Sequence, residues 1–164
     1  MPDIELVPGR ILVAEDSPTT QILIRSVLRG WVVDIASDGA EALHLFQNRD
    51  YDLILMDIEM PDMDGRQAAQ AIRSFEKEFA RVADGIGDPT LLKSIPILAM
   101  SAHSGDLIED PAMDRFFDDF IPKPINKREM LAKVNKWTAR CQAQAEDCRK
   151  EHAKTETIVE NTPI

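Results

Sequence analysis

Apolar residues in this chain gather into short unbroken runs that each stop at a polar residue, and the stretches between the runs carry a helical spacing. The clearest run, Leu53-Ile54-Leu55-Met56, closes on Asp57 and leads into Ile58-Glu59-Met60-Pro61-Asp62-Met63-Asp64-Gly65. An apolar run without alternation suits a strand covered on both faces, as in a parallel sheet between helix layers. Pro61 and Gly65 stop the strand and the Asp residues supply turn chemistry, so the segment predicts strand, exposed loop and helix. The same grammar recurs in Arg10-Ile11-Leu12-Val13-Ala14 before Glu15-Asp16-Ser17-Pro18. It recurs again in Ile95-Pro96-Ile97-Leu98-Ala99-Met100 before Ser101, and in Phe120-Ile121-Pro122 before Lys123.

The intervening segments predict helices. Pro18 to Leu28 carries Ile22, Leu23 and Val27, and Asp38 is placed to cap a helix bearing Ala42, Leu43 and Phe46. Ala68, Ile72, Phe75, Phe79 and Val82 step by four and three, a one-sided apolar stripe on a long helix. Asp110 and Pro111 suit the cap and first position of a short helix. Asn126 can cap a helix running through Met130, Val134, Trp137, Cys141, Ala145 and Cys148. Strand and helix alternate five times, which predicts an α/β domain with a parallel sheet and right-handed crossovers. Ligands of such sheets bind at the carboxyl edge of the strands, where Glu15, Asp16, Asp57, Ser101 and Lys123 all fall.

Composition narrows the partners. The chain has 164 residues and 44% apolar side chains, enough for one domain with an appendage. Its 19 basic and 29 acidic residues leave a net charge of −10, which disfavours direct binding to nucleic acid or anionic lipid. No apolar run reaches the roughly 18 residues of a membrane span and the start lacks a signal-peptide pattern, so a cytoplasmic location is expected. Cys141 and Cys148, seven positions apart in a helical stretch, are too distant to bridge each other and read as reduced thiols, ahead of intermolecular pairing or metal binding with His152.

Three carboxylates on one rim repel each other unless a cation sits among them. Oxygen ligands without Cys or His partners favour a hard ion such as Mg²⁺. Asp57 then has the chemistry of a carboxylate nucleophile toward phosphorus, with Lys123 and Ser101 placed to stabilise the transferring group. Each residue also has a plain structural reading. Lys123 could pair with any surface acid, Ser101 could cap a helix, Glu15-Asp16 could be a capping pair, and Phe120 could be a core residue.

Taken together, these motifs closely resemble the receiver domain of bacterial two-component response regulators, which also occurs in hybrid histidine kinases. The resemblance rests on Glu15-Asp16, the MDIEMPDMDG segment around Asp57, Ser101-Ala102-His103 and Lys123-Pro124, and covers about Arg10 to Trp137. It implies a flavodoxin-like, doubly wound five-stranded sheet of order 2-1-3-4-5 with five flanking helices. The resulting domain plan is an extension at 1–9, a receiver domain at 10–137, and an extension of helix 5 with a flexible tail at 138–164. It further implies Asp57 as phosphoacceptor, Mg²⁺ (or Mn²⁺) held by Glu15, Asp16, Asp57 and the backbone carbonyl of Glu59, and Ser101 and Lys123 on the phosphoryl group. Phe120 matches the aromatic switch. The partners would be a histidine kinase or histidine phosphotransfer protein and an output partner. A homodimer could form through helix 4, strand 5 and helix 5, or through an extended helix 5. Two departures stand out: Phe75 to Ser94 is long, predicting an extended helix 3, and Pro111 and Phe116 alter helix 4. The alternatives are a phosphorylation-independent scaffold and an aspartate-nucleophile phosphohydrolase. The latter class needs an acid/base Asp where this chain has Glu59.

Overall fold

The computed structural model describes residues 9–86, 94–103 and 111–140. Five strands, β1 (Arg10–Ala14), β2 (Val32–Ala36), β3 (Leu53–Asp57), β4 (Ile97–Ser101) and β5 (Asp119–Pro122), form one sheet in the order β2-β1-β3-β4-β5. Every pairing is parallel. The connections carry α1 (Pro18–Val27), α2 (Gly39–Asn48), α3 (Gly65–Ile86) and α4 (Pro111–Phe116), and a fifth helix, α5, follows over residues 127–140. The order reverses at β1, which places the crevice of the doubly wound sheet outside the carboxyl ends of β1 and β3.

The apolar runs are buried on both sides because the pleat sends alternate residues to opposite helix layers. Leu12, Ala14, Ile54, Met56, Ile97 and Ala99 join Ala42, Ala68 and Ile72 of α2 and α3. Ile11, Val13, Leu53, Leu55, Leu98, Met100 and Ile121 join Ile24 and Leu28 near α1 and Met130 and Val134 of α5. Helix starts follow the local sequence. Asp38 accepts from the Glu41 N–H at 2.8 Å, and Asn126 accepts from the N–H groups of Arg128 and Glu129 at 2.9 and 3.2 Å. Asp64 and Gln67 exchange reciprocal bonds of 2.8 and 3.1 Å in a capping box that opens α3.

Burial selects among the apolar positions of two helices. On α1 the buried residue is Ile24, with Leu28 just past the helix end, whereas Ile22 is 70% exposed. On α3, Ala68 and Ile72 are buried but Phe75, Phe79 and Val82 are 38, 47 and 55% exposed. The reason is length: α3 has 22 residues, roughly 33 Å at 1.5 Å per residue, against roughly 17 Å for a five-residue strand. The far half of the helix therefore runs beyond the sheet. Phe75 and Phe79 stack on each other, and Phe46 of α2 meets Phe75 edge-on. Cys141, Cys148, Asp110, residues 1–8 of the expected 1–9 extension and the part of the expected helix 5 extension beyond residue 140 lie outside the described residues.

Two polar clusters tie elements together at long range, and neither was evident from local sequence. The Arg73 guanidinium of α3 donates to the carbonyls of Phe116 and Ile95, to Ser94 and to Glu76 and Asp118, all at 2.7–3.2 Å. Asp34 of β2 receives Arg10 at 3.1 Å, Arg49 at 3.0 Å and the Tyr51 hydroxyl at 2.9 Å. Burial and then the hydrogen bond to the Asp34 carboxylate push the Tyr51 phenol up to about 12.

That shift sets an alkaline limit. A raised folded pKa gives a contribution that is fully present below the unfolded value near 10 and is lost as pH rises through about 12. Chemical denaturation of the wild type is expected to lose about 1–2 kcal/mol over this window after allowance for solvent screening. Tyr51→Phe should lack that component of the pH dependence; an unchanged alkaline slope would show that the phenol does not carry it.

Candidate functional site

The carboxyl ends of β1, β3 and β5 bring Glu15, Asp16, Asp57 and Lys123 together. Glu15 and Asp57 are 0 and 2% exposed, Asp16 is exposed, and one carboxylate oxygen from each lies within 4.8 Å of the others. The Lys123 ammonium sits between two of them, 2.8 Å from Glu15 Oε2 and 3.0 Å from Asp57 Oδ2. The remaining oxygens are held by main chain: Glu15 Oε1 accepts from the Ser17 N–H at 3.0 Å, and Asp57 Oδ1 accepts from the Glu59 N–H at 3.2 Å.

Loop geometry fixes this arrangement. In the β3–α3 loop Asp62 adopts a left-handed φ of 64°, a region Asp tolerates better than most side chains. Gly65 then passes so close behind the nucleophile candidate that a Cβ there would lie 2.1 Å from the Asp57 carbonyl oxygen. Its N–H closes the loop on the Ile58 carbonyl at 3.0 Å. Gly65→Ala is therefore expected to displace the Asp57 backbone and to destabilise the fold by more than about 2 kcal/mol, read by denaturant titration. A full-stability variant would show that the loop can yield.

The electrostatics are those of a charged cluster kept from water. Burial raises Asp57 above the usual carboxylate range; the Lys123 bond and the Glu59 N–H oppose that rise, and the Asp16 charge adds to it. Burial likewise raises Glu15 against the pull of Lys123 and Ser17. For Lys123, burial favours the neutral amine, but the bonds to Glu15 and Asp57 outweigh it and raise the pKa. Three carboxylates around one ammonium leave two negative charges, the amount a single divalent cation cancels. An all-oxygen donor set of this kind fits Mg²⁺.

Ser101, 3% exposed at the end of β4, lies one residue beyond Met100, the cross-strand neighbour of Asp57. Its hydroxyl accepts from the His103 N–H at 3.1 Å. His103 Nδ1 in turn lies 3.0 Å from Glu59 Oε1, so the loops after β3 and β4 are joined side chain to side chain. Sequence reasoning missed that bridge and the steric demand at Gly65, since neither leaves a local signal. Phe120 is not among the carboxylates. It is half-buried against the α2 and α3 side of the core, with the Lys133 ammonium 4.6 Å from its ring centroid.

A family model described as the response regulator receiver domain matches residues 11–135. The chain belongs to the response regulator receiver domain family. The sensor protein GacS of Pseudomonas syringae pv. syringae is 33% identical over 131 residues, covering 79% of this chain and 13% of GacS. The chain thus spans about one-eighth of that curated relative. The receiver domain of sensor histidine kinase PA1611 from Pseudomonas aeruginosa PAO1, solved with a magnesium ion coordinated in its active-site cleft, is 28% identical. It aligns with a TM-score of 0.65 over 80% of this chain and 98% of that one. The receiver domain of Saccharomyces cerevisiae Ssk1, co-crystallised with the histidine phosphotransfer protein Ypd1, aligns with a TM-score of 0.70 and 25% identity over 80% and 90% of the two chains. The sheet order is that of the receiver fold, and no helix among the described residues is long and apolar enough to cross a membrane.

A carboxylate whose pKa is raised on folding adds stability only below its unfolded pKa, and that contribution is lost as pH rises through the folded value. At neutral pH the ionised Asp57 carboxylate therefore costs stability relative to a neutral side chain at the same place. Asp57→Asn is expected to raise the melting temperature in metal-free buffer, about 2–4 °C for each kcal/mol relieved. Millimolar Mg²⁺ should raise the melting temperature of the wild type and leave the variant nearly unchanged. Equal responses of the two proteins to Mg²⁺ would place the ion elsewhere.

Proposed function

We propose that Asp57 is the phosphoacceptor of this receiver domain. It takes a phosphoryl group from a histidine kinase or histidine phosphotransfer protein and thereby controls an output partner. The observation that carries this reading is the Lys123 ammonium bonded to both Glu15 and Asp57 at the mouth of the β1–β3 crevice. In that position its charge can pass from the carboxylates to a phosphoryl oxygen. The Ypd1 complex of the Ssk1 receiver supports a phosphotransfer protein as donor, and the match to GacS supports a hybrid kinase as context. On this reading the domain spans residues 10–137 and acts in the cytoplasm.

In the reaction an Asp57 carboxylate oxygen attacks phosphorus as the bond to the donor's histidine nitrogen breaks, leaving an acyl phosphate on Asp57 and the donor nitrogen free. Glu15, Asp16, Asp57 and the Glu59 carbonyl would hold Mg²⁺, or Mn²⁺, which supplies charge neutralisation to the transferring group. The Glu59 N–H keeps the Asp57 carboxylate oriented. Lys123 stabilises the equatorial oxygens, and Ser101 exchanges its bond from His103 for one to the phosphoryl group. As Ser101 moves, Phe120 follows into the vacated space and alters the β5 surface. The side chain at the acid/base position of an aspartate-nucleophile phosphohydrolase is Glu59, and it is engaged with His103. That favours a self-phosphorylating signal domain over a turnover enzyme.

Incubation with Mg²⁺ and acetyl phosphate, followed by intact-mass measurement, should add one phosphoryl group, about 80 Da. The adduct should require Mg²⁺ and be absent in Asp57→Asn. Metal binding without any adduct would support a scaffold that works without phosphorylation, and steady hydrolysis of phosphate esters would support the phosphohydrolase.

A further inference from the structure

We propose that the overhanging half of α3 is a docking surface for a short amphipathic helix of a partner protein, one with an apolar seam and basic flanks. Five large apolar side chains are exposed among the described residues, and three of them, Phe75, Phe79 and Val82, lie on this one helix. They continue the line of the buried Ala68 and Ile72, past the point where the strands end. The patch is anchored to the core. Phe46 of α2, partly buried against the core, meets the Phe75 ring edge-on at 5.9 Å, and Phe75 stacks on Phe79 at 6.3 Å. Each ring fixes the next from the core outward, so little side-chain freedom is left to lose on binding.

Spacing selects a helix as the occupant. Ile72, Phe75, Phe79 and Val82 follow one another at intervals of three, four and three residues, the narrow seam that a second helix meets along its length at a shallow crossing angle. Charge selects its flanks. Lys77 falls on the opposite side of α3 by the same helical spacing, and Glu78 and Arg81 pair with each other at 3.2 Å. Glu76 turns inward, to Arg73 at 2.9 Å and to the Ile95 N–H at 2.7 Å. What remains is the negative ends of two helices. Both α2 and α3 stop near the amino edge of the sheet, and neither has a basic side chain in its last turn. Arg49, just past α2, is held by Asp34 at 3.0 Å. Lysines or arginines beside the partner's seam would complement both termini, and the chain's net charge of −10 adds attraction at longer range.

Area decides between such a segment and a second copy of the chain. Exposures of 38, 47 and 55% leave roughly 200–300 Å² open on these three side chains, taking roughly 150–250 Å² for a whole one. A stable interface between folded proteins needs roughly 800 Å² from each side, and two copies of this chain would each bring a net charge of −10. A single helix of a few turns lays its i, i+3 and i+7 side chains into a patch of this size without either demand.

The test is a titration of the ¹⁵N-labelled full chain with a peptide made of two copies of Leu-Lys-Lys-Leu-Ala-Lys-Lys, whose leucines repeat the same seam, followed by amide shifts. Shifts centred on residues 44–48 and 75–82 are expected. The double variant Phe79→Gln, Val82→Gln should lower the affinity at least about tenfold while taking up phosphoryl groups from acetyl phosphate like the wild type. A peptide with serine in place of every leucine, at unchanged charge, should bind the wild type at least about tenfold more weakly, an arm that needs no variant of the protein. The proposal would be overturned by shifts centred on the acidic rim around Asp57, by undiminished affinity of the double variant or of the serine peptide, or by no shifts at about 1 mM peptide. A wild type that sediments as a dimer, with the double variant a monomer, would also overturn it, making the patch the seat of a second copy.

Discussion

The structure turns on one ammonium ion held among carboxylates. Lys123 reaches from the end of β5 to Glu15 and Asp57, residues contributed by two other strands, and the third carboxylate, Asp16, stands at the open side. A buried anion cluster is costly without compensation. Here the compensation is partial, since burial still raises both Glu15 and Asp57. The site is poised for additional positive charge and for a ligand that carries its own anionic oxygens. The family's phosphoryl chemistry answers both needs.

The rest of the fold makes that cluster possible. Parallel strands buried on both faces form a rigid floor, and their carboxyl ends lie side by side because every crossover returns to the same edge. The loops above this floor are fixed by their own main chain. The Glu59 N–H orients Asp57, the Ser17 N–H orients Glu15, the His103 N–H holds Ser101, and the near approach of Gly65 to the Asp57 carbonyl sets the exit into α3. Preorganisation of this kind removes the reorganisation that a flexible site would need when charge develops.

The opposite end of the molecule and the β5 edge are governed by longer side chains. Arg73 gathers α3, the approach to β4 and the α4–β5 connection into one polar knot. Asp119 binds Lys133 and Trp137 of α5. Although burial would raise its pKa, the bonds from Trp137, Lys133 and the Phe120 N–H hold it below the usual carboxylate range. Lys133 also lies over Phe120. Phe120 is therefore in contact with a lysine of α5, a helix on which five basic residues face one carboxylate between residues 127 and 140.

The sequence by itself determined the alternation of strands and helices, the parallel sheet, the caps at Asp38 and Asn126, and the set Glu15, Asp16, Asp57, Ser101 and Lys123. Each of these follows from local pattern: unbroken apolar runs, cap chemistry, and polar residues at strand ends that one topology brings to one rim. The tertiary structure alone decided which face of α1 is buried, where the α3 stripe leaves the core, and that Lys123 bridges Glu15 and Asp57. It also joined Glu59 to His103 and Asp34 to Tyr51. These depend on how far an element extends past its neighbours and on side chains that meet across dozens of residues. Periodicity carries no information about either, because it records the spacing within one element and not the distance to the next.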